Sequence, residues 1–123
     1  MLKSKIHRAT VTHCNLNYEG SIGIDKKLMQ ESGLVAYEQV DVLNINNGVR
    51  FTTYVIEEKP GSGVISVRGA AARLAQTGDL VIICSYCQIN ETELKKFKPK
   101  ILKVDAKNKP KSQKTENLKL KTK

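Results

Sequence analysis

The sequence predicts a mainly β protein, and three observations support this class. Hydrophobic residues make up 40% of the chain and aromatic residues only 5%, so Val, Ile, Leu and Ala must build the core. The β-branched members of that set favour strands. Short apolar runs are separated by turn-forming Gly and Asn, and no strand–helix repeat of the parallel type occurs. A small closed barrel is the economical arrangement, because closure removes exposed strand edges.

The 123 residues correspond to one domain with a single core. Residues 3–13 predict a first strand that is unusually polar, and residues 21–24 predict a short strand after a turn-like segment. Further strands are predicted at residues 40–45, 49–57, 64–67 and 80–88, with turns at residues 46–48 and 61–63.

Three short helical segments complete the prediction. Asp25 is a good N-cap for a helix over residues 26–32, which Gly33 would end in a left-handed conformation. The alanine-rich stretch at residues 69–75 predicts one or two helical turns. A last helix is predicted to begin at Asn90, with Glu93 in capping-box position, and to end at Pro99.

The net charge of +9 is concentrated at the end of the chain. Residues 103–123 contain eight lysines and two acidic residues, so most of the excess charge belongs to a tail that we expect to be disordered. A solubilising extension is favoured over a nucleic-acid-binding arm, because the chain has no Trp and no aromatic residues interleaved with the basic ones.

Nothing in the sequence predicts a membrane segment or a metal site. No apolar run approaches the roughly 20 residues that cross a bilayer, and no leader opens the chain, so a cytoplasmic protein is expected. The chain has three cysteines, an odd number that does not suit a disulfide framework: Cys14, Cys84 and Cys87. Cys84 and Cys87 fall in a buried strand, where residues three apart point to opposite faces, so a shared metal is not expected.

Two clusters of polar and basic residues are candidates for chemistry. Lys5 and His7 share one face of the first strand. Arg50, Thr52 and Tyr54 share one face of a later strand, with residue 53 on the other. Each cluster is typical either of a solvated sheet face or of a pocket in which cations bind substrate carboxylates. Periodicity alone leaves both interpretations open.

Several motifs together resemble the bacterial aspartate alpha-decarboxylases, from about residue 2 to about residue 100. A Gly–Ser pair by itself carries little information, because it recurs at residues 61–62 without this context. The specificity lies in the joint spacing of the motifs. They are YEGSIGID at residues 18–25, KIHRA at 5–9, VTH at 11–13, NNGVRFTTY at 46–54, GAAA at 69–72 and GDLVII at 78–83.

The resemblance implies a six-stranded double-psi β-barrel over residues 1–102, assembled as a homotetramer. It implies self-cleavage between Gly20 and Ser21 by an N-to-O acyl shift, giving a β-chain of residues 1–20 and an α-chain from residue 21. Ser21 would become a covalent pyruvoyl group, with no metal and no pyridoxal phosphate. That group would form a Schiff base with L-aspartate, and decarboxylation would yield β-alanine and CO2 for pantothenate synthesis.

The same resemblance assigns roles to individual residues. Tyr54 corresponds to the proton donor, and Arg50 and Lys5 to cations that hold carboxylates. His7 and Tyr18 correspond to positions near the pocket. The positions corresponding to substrate-binding groups are Thr53, Gly69, Ala70 and Ala71.

One position departs from the family pattern. Arg68 stands where the family usually has asparagine, so a group that only donates hydrogen bonds, and is always charged, replaces an amide. We expect slower processing or turnover, which an Arg68→Asn variant would test. The departure also keeps open an uncut, non-catalytic member that serves in binding or assembly. Separately, the sequence does not decide between autonomous processing and processing that needs a maturation factor.

Overall fold

The computed structural model describes residues 1–111, and within them the chain is mainly β, which confirms the predicted class. Eight strands and three short helical segments are present in this part of the chain. The strands are β1 (Leu2–Thr10), β2 (His13–Asn15), β3 (Ser21–Asp25), β4 (Gln39–Asn44), β5 (Arg50–Glu58), β6 (Ile65–Arg68), β7 (Leu80–Tyr86) and β8 (Lys100–Lys103). The helical segments are α1 (Lys26–Ser32) and the 3₁₀ turns Gly69–Arg73 and Glu91–Glu93.

The strands form one hydrogen-bonded sheet in the order β2-β6-β3-β5-β4-β7-β1-β8. The pairs β1/β8, β2/β6 and β3/β5 are parallel, and the other pairs are antiparallel. Only Val11 and Thr12 separate β1 from β2, so one segment supplies strands near both ends of this order. The described residues form two more strands than the six that the sequence pattern predicted individually. The predicted first strand divides into two, and β8 had no counterpart in the prediction.

The core consists of aliphatic side chains, as the composition predicts. Alternation along the strands places one face inward, because successive side chains point to opposite sides of a sheet. β3 is the exception, since all five of its residues are buried. The largest fully buried side chains are Ile6, Ile22, Ile24, Leu28, Ile65, Ile83, Val11, Val40, Val42, Val55, Val67 and Val81.

The helix α1 begins and ends as its sequence predicts. The carboxylate of Asp25 accepts a hydrogen bond of 2.8 Å from the backbone N–H of Lys27. Gly33 ends the helix with φ of 82°. The last predicted helix is wrong in extent, because only the 3₁₀ turn Glu91–Glu93 forms and Asn90 makes no side-chain cap. That turn buries none of its residues, so no tertiary contact extends it.

The predicted tail boundary at residue 103 is also wrong, since residues 103–111 belong to the fold. The Asn108 side chain is buried and joins two distant loops. Its Nδ2 donates to the carbonyls of Thr10 and Gly63, and its Oδ1 accepts from the N–H of Thr10. Val104 is buried as well. The rest of the predicted disordered tail, residues 112–123, lies outside the described residues.

No helix within residues 1–111 combines the length and apolar character needed to span a membrane.

Candidate active site

The Gly20–Ser21 bond lies where an exposed loop enters a buried strand. Residues 16–20 are exposed, whereas Ser21 is the first residue of β3 and is only 4% exposed. The Ser21 backbone is held by pairing with β6, on the side opposite β5. The bond therefore joins a strand-held serine to a glycine that the solvent reaches.

Gly69 packs directly against Gly20. A Cβ atom at Gly69 would lie 2.6 Å from Gly20 Cα, 2.7 Å from Gly20 N and 3.0 Å from the Tyr18 carbonyl oxygen. Gly69 also has φ of 74°, in the left-handed region that favours glycine. Ala70 and Ala71 follow it in the 3₁₀ turn Gly69–Arg73. The structure thus brings the predicted GAAA segment to the loop that ends at Gly20.

Arg68 stands beside Ser21, because the two residues are partners in the antiparallel pairing of β3 and β6. Its Nη2 forms an ion pair with Oε1 of Glu58, and its guanidinium carbon lies 5.5 Å from the centre of the Tyr18 ring. The side chain is thus neither an unpaired cation in the pocket nor turned out into solvent. Glu58 was missed in the sequence. Alternation along β5 places it on the face of Tyr54, which is the one signal that could have found it.

Tyr54 is positioned next to Ser21 by the register of two parallel strands. The pairing of β3 with β5 begins at Ile22 and Val55, and Ser21 and Tyr54 each come one residue earlier. Both side chains therefore lie on the same face of the sheet. The Tyr54 ring is 36% exposed, and its centre lies 6.4 Å from that of Tyr37, a contact that the sequence did not predict.

Thr53 lies on the opposite face of β5 from Tyr54, as the alternation predicts. It pairs with the core residue Val40 of β4 and is partly buried. The structure thus separates Thr53 from the surface that carries Ser21, Tyr54 and Arg68.

Arg50 and Lys5 are both distant from Ser21 when the path is followed along the sheet. Arg50 lies four residues before Tyr54 on β5, about 13 Å away at the rise of a strand. It faces a shallow groove of about 330 Å³ that Asp41, Thr52 and Tyr86 help to line. Lys5 on β1 is separated from β3 by β7, β4 and β5, about 19 Å along the sheet at the usual strand spacing. Along the sheet, the predicted site residues therefore fall into two groups.

His7 shares the face of Lys5 on β1 and lies among positive charges. Burial lowers the pKa of His7 below its ordinary value of 6.5, and the charges of Lys5, Arg8, Lys103 and Lys111 lower it further. Its Nδ1 is buried and has no hydrogen-bond partner within residues 1–111. The imidazole is therefore neutral at neutral pH, so it adds no charge to the cations around it.

The described residues contain no group of three or more His, Cys, Asp or Glu side chains placed to hold a metal ion. Cys14, Cys84 and Cys87 are free thiols.

The fold and the site define a small, mainly β protein with a cluster of polar side chains around the loop-to-strand junction at Ser21. Residues 1–111 match the model of the family described as aspartate decarboxylase. The chain therefore belongs to the aspartate decarboxylase family.

Individual relatives agree with this assignment over nearly their whole length. The chain is 58% identical over 110 residues to the aspartate 1-decarboxylase of Thermoanaerobacter pseudethanolicus, covering 89% of this chain and 94% of the relative. It is 54% identical over 117 residues to that of Syntrophotalea carbinolica, covering 95% and 89%. It is 56% identical over 110 residues to that of Burkholderia vietnamiensis, covering 89% and 86%.

Proposed function

We propose that this chain cuts itself between Gly20 and Ser21 and then decarboxylates L-aspartate to β-alanine and CO2, for pantothenate synthesis in the cytoplasm. Family membership and the names of the relatives support the decarboxylation of aspartate. The observation that carries the self-cleavage is the contact of Gly69 with Gly20. It restrains the last residue of an exposed loop directly beside the strand-held Ser21.

In the proposed cleavage, the Ser21 hydroxyl oxygen attacks the carbonyl carbon of Gly20. The peptide C–N bond breaks and its nitrogen takes up the hydroxyl proton, so an ester replaces the amide. Loss of the Ser21 α-proton then expels Gly20 as a carboxylate and leaves a carbon–carbon double bond. Water converts the resulting enamine to a ketone and releases ammonia. The product at residue 21 is a pyruvoyl group at the new N-terminus.

The surroundings of Ser21 suit such a group. It would be made from the first residue of β3, whose backbone is paired with β6, whereas the loop before it is exposed. When formed, the pyruvoyl ketone supplies an electrophile for the substrate amine and a sink for the electron pair that decarboxylation releases. No other residue needs to supply either property.

The chain's own residues would orient the substrate and move a proton. Tyr54 is the proposed proton donor, since the register places it beside Ser21 and a phenol carries an O–H donor. The backbone of Gly69, Ala70 and Ala71 would bind the substrate next to the new N-terminus. Thr53 remains a proposed contact from the family resemblance, although it lies on the other face of β5.

The separation of Lys5 and Arg50 from Ser21 supports a homotetramer of processed subunits. Both cations are assigned to substrate carboxylates, yet each is more than 10 Å from Ser21 along the sheet, by the roughly 3.3 Å rise and 4.8 Å strand spacing used above. A second copy that packs on this face could bring one of them to the pyruvoyl group. The proposed partners are thus L-aspartate and other copies of the chain.

Intact-mass spectrometry of the purified chain tests the cleavage. The expected result is two fragments that divide after Gly20, with the longer one lighter by one ammonia than its serine form. Ser21→Ala should remain one chain. Ser62→Ala is the matched control, since it removes the serine of the second Gly–Ser pair, and it should cut like the parent.

Turnover separates the proposed enzyme from an uncut binding or assembly protein. The processed chain should release β-alanine from L-aspartate. Tyr54→Phe should cut normally but turn over at least about a hundredfold more slowly, the lower end of the usual range for a lost general acid. A parent chain that stays intact and inactive would contradict self-processing. Cleavage that begins only after addition of cell extract would identify a maturation factor.

A further inference from the structure

Glu58 reaches back across β3 from the end of β5. A Cβ atom at Gly23 would lie 2.6 Å from the Glu58 Oε1 and 2.9 Å from its Cγ. The carboxylate therefore occupies space that any other residue at position 23 would fill. The direction of the side chain is what allows it to meet Arg68 on β6.

The contacts continue from Glu58 to the cleavage loop. Arg68 pairs with Glu58 through Nη2 and covers the ring of Tyr18 at 5.5 Å. The side chains of Glu58 and Arg68 are only 23% and 22% exposed, so the pair is shielded from much of the solvent. Tyr18 is 61% exposed and lies two residues before Gly20. We call this series, Glu58, Arg68 and Tyr18, the clasp.

The clasp has a physical reason to depend on Glu58. A guanidinium has five N–H donors and a flat face, so one edge can bind a carboxylate while the face covers an aromatic ring. Without the carboxylate, Arg68 would be a half-buried cation with no anionic partner among its described contacts, and it would gain by turning to water. Tyr18 would then lose the contact that holds its ring against the sheet.

We propose that Glu58 is a positioning residue for self-cleavage. It holds Arg68 on the Tyr18 ring, and the clasp thereby keeps the loop and the Gly20 carbonyl in place beside Ser21. Arg68 is also the strand partner of Ser21, so the residue that covers Tyr18 belongs to the strand that holds the reacting serine. The consequence for cleavage rests on the proposed function, whereas the clasp itself does not.

The clasp is tested in a chain that cannot cut itself, Ser21→Ala. Chymotrypsin cuts after exposed aromatic residues, and mass spectrometry separates the cut after Tyr18 from the cut after Tyr37. Adding Glu58→Gln should raise the initial rate after Tyr18 several-fold and leave the rate after Tyr37 unchanged. Glu57→Gln is the matched control, because the neighbouring Glu57 is exposed and forms a long ion pair of 3.9 Å with Lys26 on the surface.

Equal rates after Tyr18 in the Glu58→Gln and Glu57→Gln chains would overturn the clasp. A rise at both Tyr18 and Tyr37 would show general loosening of the fold and would also overturn it. Gly23→Ala should act like Glu58→Gln, because its methyl group would displace the carboxylate.

The positioning role is tested on the chain that keeps Ser21. Glu58→Gln should slow self-cleavage about tenfold, a loss of the size expected when a reacting group is poorly oriented. In an Arg68→Asn background the same change should alter the rate less than about twofold, because Glu58 acts through Arg68. Equal slowing in both backgrounds, or none in either, would overturn the role.

The clasp and the proposed self-cleavage can be contradicted independently of each other. If the parent chain never cuts, the proposed function falls, and the proteolysis result alone decides whether the clasp exists.

Discussion

The two ends of β3 are held in different ways. At its last residue, Asp25 accepts hydrogen bonds from the backbone N–H groups of Lys27, Gly61 and Gly63, at 2.8 to 2.9 Å. At its first residue, Ser21 follows an exposed loop that is held by the Gly69 contact and the clasp. The Asp25 end is secured by main-chain donors around one carboxylate, and the Ser21 end by side chains and a close backbone approach.

This difference shows how one strand can serve both stability and reactivity. The Asp25 end joins α1 to the loop around residues 61–63, so its loss would loosen several elements together. In the proposed self-cleavage, the loop that precedes Ser21 loses its covalent link to β3. Contacts made by a few side chains can be broken there without unfolding the sheet, because the β3 pairing with β5 and β6 is independent of them.

The largest effect is expected from Gly69→Ala. Its methyl group would lie 2.6 Å from the Gly20 Cα, so the backbone at the scissile bond must move. A displacement of about 1 Å can cost about a hundredfold in rate, and we expect at least that loss of self-cleavage. The measurement is the rate constant for appearance of the two fragments.

Gly48→Ala is the control for Gly69→Ala. Gly48 has a similar φ of 75°, but a Cβ atom there would meet nothing within 4 Å. Gly48→Ala therefore introduces the same left-handed backbone strain as Gly69→Ala, but its methyl group makes no close contact. Equal cleavage rates in the two variants would show that the Gly20 contact is unimportant.

The next effect tests the other end of the strand. Asp25→Ala removes the acceptor of three backbone N–H groups, and we expect a loss of about 2–4 kcal/mol in the free energy of unfolding. Denaturant titration measures it. Asp105→Ala is the control, because Asp105 also accepts backbone N–H groups but is fully exposed, so it should cost much less. A similar cost for both would contradict the special role of the Asp25 end.

Asn108→Ala should have a smaller effect at the same end. It removes three hydrogen bonds that join the C-terminal segment to Thr10 and Gly63, and we expect a loss of about 1–3 kcal/mol. The exposed neighbour Lys107→Ala should unfold at the parent's denaturant midpoint. If Asn108→Ala unfolded at the parent's denaturant midpoint, residues 103–111 would not be needed to hold this end.

The smallest effect is a dependence on acid. Burial would raise the pKa of Asp25, but hydrogen bonds from Gly63, Gly61 and Lys27 and the charge of Lys109 hold it below its ordinary value of 3.8. The stabilisation is therefore complete above the unfolded-state pKa and is lost as the pH falls through the lower folded-state pKa.

Denaturant midpoints from about pH 6 to about pH 2.5 check this dependence, with Asp25→Asn as the reference. The denaturant midpoint of the parent should exceed that of Asp25→Asn by a constant amount at the upper pH values, and this difference should shrink only at the lower ones. A difference in denaturant midpoint that grows as the pH falls would contradict the lowered pKa of Asp25.

Local patterns predicted much of the fold. The start and end of α1 follow from Asp25 and Gly33, and the turn around Gly48 follows from its Asn-Gly sequence. These features depend on residues only a few positions apart, which is why sequence reasoning found them. β8 was missed because it is a four-residue strand whose lysine-rich surroundings resemble a tail, and it forms only by pairing with β1.

The candidate site was predicted less completely. Ser21, Tyr54 and Gly69 lie near one another around the Gly20–Ser21 bond, and their roles stay predictions. The distance of Lys5 from Ser21 could not be predicted, since it depends on the order of strands in the sheet. Glu58 was invisible for the same reason, because its partner Arg68 lies on β6, which is separated from β5 by β3.

The sequence by itself determined the mainly β class, the cap and stop of α1, the family and the position of the Gly–Ser bond, because short-range spacing and motifs carry that information. Only the tertiary structure decided which residues surround that bond and that Arg68 is neutralised by Glu58 across Gly23. It also decided that Asn108 holds Thr10, 98 residues away. Strand order and register bring such groups together, and neither is encoded in any local pattern.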